Sequence, residues 1–242
     1  PLLLPPGDYG LCERGLPLDA ARVALGFALG SYQFDRYKKP RREPAKLLAP
    51  LGQYLDEVAA LARATARTRD LVNTPTEDMG PAELGDATRA IGARFGAQYR
   101  EWIGNELLDA NFPAIHAVGR ASHRAPRLLE VLAGDPAHPE VAIVGKGVCF
   151  DTGGLDIKPP DGMRHMKKDM GGAAHAIALA ELLLERRLPI CLRLLVPAVE
   201  NAISANAYRP GEVIRTRAEL SVEIDNTDAE GRVILCDALT YA

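Results

Sequence analysis

The chain has 242 residues, an apolar fraction of 47% and a formal net charge of −3 at pH 7; these values fit a globular protein with a sizeable core and exclude the basic excess of a nucleic-acid-binding surface. Its four cysteines, Cys12, Cys149, Cys191 and Cys236, form no CxxC pair, which argues against zinc-finger and thioredoxin chemistry and fits a reducing compartment. The Leu2-Leu3-Leu4 run is too short for a signal-peptide core and no apolar stretch approaches the ~18 residues a membrane span needs, so a soluble cytoplasmic protein without a membrane partner is expected.

Residues 18–34 place Ala21, Leu25, Ala28 and Leu29 at helical spacing. The stretch 35–44, with Lys38-Lys39 and Arg41-Arg42, reads as a solvated linker. Residues 45–72 predict a long helix with Leu47, Leu51, Leu55, Val58, Leu61 and Ala62 on one stripe, stopped by Asn73-Thr74-Pro75-Thr76. Pro81 opens another helix, to about Phe95. Residues 99–103, 115–119 and 128–131 are short segments without a firm assignment. From Val141 the pattern sharpens. The apolar run 141–150 predicts a buried strand, followed by a long loop and then a helix over 170–187, apolar nearly all round. Residues 190–199 predict a second buried strand and 220–224 a third, short one. The β-α-β order implies a parallel sheet, whose ligands gather at the carboxyl ends of its strands, where residues 146–151 and 226–232 fall.

The loop after the first of these strands carries Asp151, Asp156, Lys158, Asp161, Lys167, Lys168 and Asp169, with Lys146 just upstream. Singly, each has an ordinary reading: Asp151 as a turn former, Asp169 as a helix N-cap, Lys146 and Lys158 as surface lysines. In the second segment Asn226, Asp228, Glu230 and Arg232 share parity, so an extended chain would point all four the same way. Neighbouring carboxylates repel unless a cation neutralises them, and hard divalent cations suit oxygen ligands. The four negative charges of Asp151, Asp169, Asp228 and Glu230 would balance two such ions.

Competing motifs fit less well. Phe150-Asp151-Thr152-Gly153 looks like an aspartic-protease loop, but that chemistry needs two such loops on an all-β scaffold. The segment from Asn226 lacks the first Asp of an EF-hand loop and follows an expected strand where that motif needs a helix. Gly145-Lys146-Gly147 lacks the rest of a phosphate-binding loop, and no HExxH is present.

The stretch Val144-Gly145-Lys146-Gly147-Val148-Cys149-Phe150-Asp151-Thr152-Gly153-Gly154, continuing through Lys158-Pro159 and residues 166–174, resembles the leucyl aminopeptidase (cytosol aminopeptidase) family. Asn226-Thr227-Asp228-Ala229-Glu230-Gly231-Arg232 is similar to that family's signature, and the resemblance extends weakly to residues 70–73 and to Ser31-Tyr32. It implies an α/β fold: a three-layer α/β/α catalytic domain with a mostly parallel central sheet, preceded by the remnant of an N-terminal α/β domain. The implied boundaries are 1–43 for the closing part of the N-terminal domain, 44–70 for a linker helix and 71–242 for a catalytic domain truncated at its C-terminus. The implied activity is metal-dependent release of N-terminal residues, leucine-type preferred, from peptides with a free N-terminus. Lys146, Asp151, Asp169 and Glu230 would bind one divalent ion, and Asp151, Asp228 and Glu230 the other, as zinc, manganese or magnesium. Lys158 would polarise the scissile carbonyl and contact substrate, Arg232 would hold a bicarbonate ion, and Met166 and Asn226 would line the substrate pocket. A homohexamer is implied as well, and no nucleic-acid partner is expected.

Overall fold

In the computed structural model, which describes residues 2–12, 19–40, 42–50 and 52–242, the chain divides into two units, Pro1–Asp70 and Leu71–Ala242. In the first unit, strand β1 (Asp8–Gly10) pairs in parallel with β2 (Lys46–Leu48), and helix α1 (Ala20–Gly30) comes between them in sequence. Asp19 caps α1 by accepting a 3.1 Å bond from the Arg22 backbone N–H, which sets where the helix begins. The long helix expected over 45–72 is shorter. Leu47 lies in β2, a tight turn spans Gly52–Tyr54, and helix α2 runs only over Leu55–Asn73. Pro50 has no N–H to donate, and Gly52 takes a left-handed φ of 48°, so helical bonding cannot run through this stretch. Leu18, Arg41 and Leu51 fall outside the described residues.

The second unit contains helices α3 (Pro81–Phe95), α4 (Glu106–Asp109), α5 (Pro113–Gly119), α6 (Pro160–Met163), α7 (Gly171–Glu185) and α8 (Glu230–Tyr241). Its strands are β3 (Gln98–Ile103), β4 (Arg127–Ala133), β5 (Glu140–Val144), β6 (Gly147–Asp151), β7 (Cys191–Asn201), β8 (Val213–Arg215) and β9 (Ser221–Glu223). The main sheet has the order β3-β4-β7-β5, with β6 also on β7. Since β3 is antiparallel to β4, and β4 to β7, while β5 and β6 are parallel to β7, four of the five strands share one direction and β4 alone opposes them.

The single strand expected over 141–150 is broken in two. Its first half pairs with Cys191 to Leu195 and its second half with Ala198 to Asn201, so both lie along β7. At the break the Gly145 N–H donates to the Leu195 carbonyl (2.9 Å), while the Lys146 carbonyl accepts from the Ala173 N–H (2.8 Å) at the start of α7. A Cβ on Gly145 would sit 2.7 Å from the Ala173 Cα, so the close approach of α7 requires glycine there.

Period-two alternation sends successive strand residues to opposite faces. Leu129, Val131, Cys149, Leu192, Leu194 and Val196 pack with Leu84 and Ile91 of α3 and Ile177 of α7. Leu128, Val148 and Val199 pack on the other face with Ile115 and Val118 of α5 and Val233 and Ile234 of α8. The result is an α/β/α sandwich. Each fully buried side chain of this kind contributes roughly 1.5–3 kcal/mol. The third expected strand does not join this sheet. Residues 221–223 form β9, which pairs with β8 in a separate hairpin of mostly exposed residues.

Candidate functional site

β6 and β7 end side by side, with Asp151 opposite Asn201 in the register. Asp151, only 2% exposed, is held from two sides. Its Oδ1 accepts from the Gly153 N–H and from Asn201 Nδ2, both at 2.8 Å, and its Oδ2 lies 2.9 Å from Lys158 Nζ. The Gly153 bond is the one expected of Asp151 as a turn former. Gly153 and Gly154 take left-handed φ angles of 87° and 66°, which turns the chain sharply away from the strand end.

Lys146 projects from the break between β5 and β6. Its Nζ lies 2.7 Å from Asp169 Oδ2 and 2.8 Å from Glu230 Oε1. Asp169 sits in the turn Met166–Met170 that leads into α7, and the capping position of that helix falls to Met170 instead. Lys158 spans the other side of the site, between Asp151 and Asp228. One carboxylate oxygen each from Asp151, Asp228 and Glu230 lies within 4.8 Å of the other two. The structure thus brings Lys146, Asp151, Lys158, Asp169, Asp228 and Glu230 into one cluster.

The extended geometry expected for residues 226–232 is wrong. Only Asn226 is extended. Thr227–Ala229 is a tight 3-10 turn and Glu230 starts α8. The Asn226 side chain accepts from the Asp228 N–H at 2.7 Å, a capping bond that curls the chain and that parity counting cannot anticipate. Glu230 is consequently buried (1% exposed), while Asn226, Asp228 and Arg232 stay on the exposed side. Asn226, Asp228 and Arg232 line a cavity of about 370 Å³ with Asp225, Ala229 and Val233. Met166, half-buried at the start of its turn, is not in that wall.

Burial dominates the electrostatics. It pushes the Glu230 carboxyl up to about 7; Lys146 opposes the shift and the charge of Asp151 adds to it. Burial also pulls the two lysines down, but hydrogen bonds to Asp169 and Glu230 leave Lys146 raised, and those to Asp228 and Asp151 leave Lys158 raised. Glu230 Oε2 is buried without a hydrogen-bond partner among the described residues. A buried carboxylate oxygen left bare in a crowd of acids is costly, and the carboxylates of Asp151, Asp228 and Glu230 suit a hard divalent cation.

Three residues outside the sequence prediction complete the surroundings: Asn201, Thr227 and Tyr208. All three are buried. Asn201 Nδ2 bridges Asp151 Oδ1 and the Thr227 carbonyl (3.0 Å), and the Tyr208 hydroxyl donates to that same carbonyl at 2.6 Å. The one signal in the sequence was a polar Asn closing the apolar run of β7.

Comparison with known proteins follows the same lines. A family model described as the cytosol aminopeptidase family, catalytic domain, matches residues 66–242, and one described as M17 aminopeptidase, N-terminal domain, matches residues 1–50. A probable cytosol aminopeptidase of Rhodococcus jostii is 39% identical over 93% of this chain and 48% of its own length. The crystal structure of a cytosol aminopeptidase from Coxiella burnetii is 50% identical with a TM-score of 0.94, covering 99% of this chain and 52% of that one. The bottromycin maturation enzyme BotP, solved in complex with Mn, is 38% identical with a TM-score of 0.84, covering 92% of this chain and 49% of that one. The chain spans about half the length of the curated relatives it matches.

Proposed function

The chain belongs to the cytosol aminopeptidase family, and from that premise we propose that the protein is a two-metal aminopeptidase releasing N-terminal residues, leucine-type preferred, from peptides. In this reading Lys146, Asp151, Asp169 and Glu230 hold one divalent ion, zinc, manganese or magnesium. Asp151, Asp228 and Glu230 hold the other. Two observations carry the reading: Asp151, Asp228 and Glu230 bring one carboxylate oxygen each within 4.8 Å of the others, and the buried Glu230 Oε2 has no hydrogen-bond partner among the described residues. Lys146 coordinates as the neutral amine, because an ammonium has no lone pair. Two nearby cations oppose the carboxylates that now hold its proton.

When bound, the ions acidify a water and polarise the peptide carbonyl. The protein's own groups do the rest. Lys158 stays charged, held by Asp151 and Asp228, and donates to the oxyanion that develops on the carbonyl. Arg232, in the cavity wall, would hold a bicarbonate ion, which would supply a general base for the attacking water. Asn226, in the cavity wall, and Met166 line the substrate pocket. Within the chain, residues 1–43 serve as the closing part of an N-terminal domain, 44–70 as a linker and 71–242 as the catalytic part. A homohexamer in the cytosol completes the proposal.

The test is hydrolysis of leucine amide and of a leucyl peptide by the full-length protein, supplied with Zn²⁺ or Mn²⁺ and then treated with chelator. Metal-dependent release of leucine is expected. No release with both ions supplied would overturn the reading.

A further inference from the structure

We infer that Thr227 is a positioning residue which, with Asp156 and Asn201, locks the two carboxylate-bearing loops in register and so sets how tightly the site takes divalent cations; this rests on the two-metal reading above. Thr227 is fully buried, although Asn226 and Asp228 on either side are exposed. Every polar atom it has is used. Its backbone N–H donates to Asp156 Oδ2 at 2.7 Å, and its Oγ1 accepts from the Asp156 N–H at 2.9 Å. A hydroxyl has one proton to give, and the nearest acceptor is the Gly153 carbonyl at 2.6 Å, with Asp156 Oδ2 at 3.0 Å. Its carbonyl accepts from Asn201 Nδ2 and the Tyr208 hydroxyl.

These partners lie in both halves of the site. Gly153 and Asp156 belong to the loop that carries Asp151 and Lys158, and Thr227 precedes Asp228 directly and Glu230 by three residues. Asn201 adds a second tie, since one amide group holds both Asp151 Oδ1 and the Thr227 carbonyl. Gly154 completes the fit. A Cβ there would sit 2.8 Å from Thr227 Oγ1, and its φ of 66° disfavours other residues in any case.

The physical need for such a tie comes from charge. Asp151, Asp228 and Glu230 hold oxygens within 4.8 Å of one another, and like charges this close push apart. Asp228 makes no bond to Asp151 or Glu230 directly; it meets Asp151 through Lys158. A ligand set keeps its spacing only if its supporting groups hold it, and removing such a group typically costs ~10–100-fold in metal affinity or activity. Neither the Thr227 hydroxyl nor the Asp156 carboxylate belongs to the proposed ligand set, and both bond to the loops that carry it, so their effect passes through the position of Asp151 and Asp228.

The experiment is a Mn²⁺ titration of the full-length protein without substrate, with free Mn²⁺ read by electron paramagnetic resonance and fold read by circular dichroism. Thr227→Val keeps the shape and removes the hydroxyl, Thr227→Ser keeps the hydroxyl, and Asp156→Ala removes the carboxylate that accepts from the Thr227 N–H at an exposed position. Thr227→Val and Asp156→Ala should each weaken Mn²⁺ binding ~10–100-fold, with Thr227→Ser restored to within a few-fold of wild type. If Thr227→Val fails to fold, Asp156→Ala decides alone. Wild-type affinity in Asp156→Ala and Thr227→Val, or Thr227→Ser as weak as Thr227→Val, would overturn the inference while leaving the two-metal reading intact. A wild type that takes up no Mn²⁺ would overturn both.

Discussion

Helix α8 buries two acids, Glu230 in its first turn and Asp237 about two turns later, and their surroundings differ sharply. Both oxygens of Asp237 are satisfied by backbone N–H groups, Oδ2 by Ala114 (2.8 Å) and Ile115 (3.4 Å) and Oδ1 by Arg217 (2.8 Å). Asp237 therefore ties the start of α5 and the β8–β9 turn to α8. Glu230 has one oxygen on Lys146, and the other has no partner among the described residues. Neutral, well-aimed donors make a buried acid a structural joint. A buried acid facing another carboxylate with one oxygen bare is arranged for a cation from outside the protein.

The two acids should separate cleanly on mutation. Glu230→Gln should abolish Mn²⁺ binding at the shared position and reduce kcat by more than ~100-fold, beyond the loss of a merely supporting group, while the protein stays folded. Binding isotherms and steady-state kinetics check this. The same variant probes pH dependence in chelator. Burial raises Glu230 from 4.5 to about 7, so its protonated form is favoured by folding. That contribution is complete below pH 4.5 and is lost as pH rises through about 7. Denaturant midpoints of wild type minus Glu230→Gln should fall over that window, and a flat difference would show that Glu230 is not held neutral by the fold.

Lys158→Ala should lower kcat by roughly 10²–10³-fold, the usual cost of an oxyanion donor, yet leave two Mn²⁺ bound. Loss of metal instead would move Lys158 from catalysis to assembly of the site. Asp237→Ala sharpens the opposite side of the comparison. It leaves two buried N–H groups and a part-buried one unpaired and should cost about 2–4 kcal/mol in denaturant unfolding, with Mn²⁺ affinity of the folded fraction unchanged. Asn226→Ala should have the smallest effect. Losing its cap on the Asp228 N–H should cost about 1 kcal/mol in denaturant unfolding, and losing the proposed substrate contact should raise KM modestly with kcat little altered.

Much of this architecture was legible in the sequence. The long apolar runs of β7 and α7 and the Pro-initiated α3 were strong signals, because burial on one or both faces imposes composition and period. The Gly- and Asp-rich loop after β6 and the acids around Asp228 identified the cluster by charge. The breaks were less legible. Residues 141–150 read as one strand because the split at Gly145–Lys146 depends on the approach of α7, a tertiary contact. The helix expected over 45–72 lost its first turns to β2 because pairing with β1 outweighs a weak local propensity. Asn226 curled the signature segment through a side-chain cap, a preference that alternation does not encode. Thr227 and Asn201 stayed hidden because their importance lies in partners about 70 and 50 residues away, Asp156 (|i−j| = 71) and Asp151 (|i−j| = 50).

The most direct test of the central claim is an anomalous difference map from crystals of the full-length protein grown with Mn²⁺. The account predicts two peaks ~3.5–4 Å apart, flanked by Asp151 and Glu230, with Glu230 Oε2 turned to one of them. A map with no peak there, or with Glu230 Oε2 still bare while Mn²⁺ binds elsewhere, would contradict it.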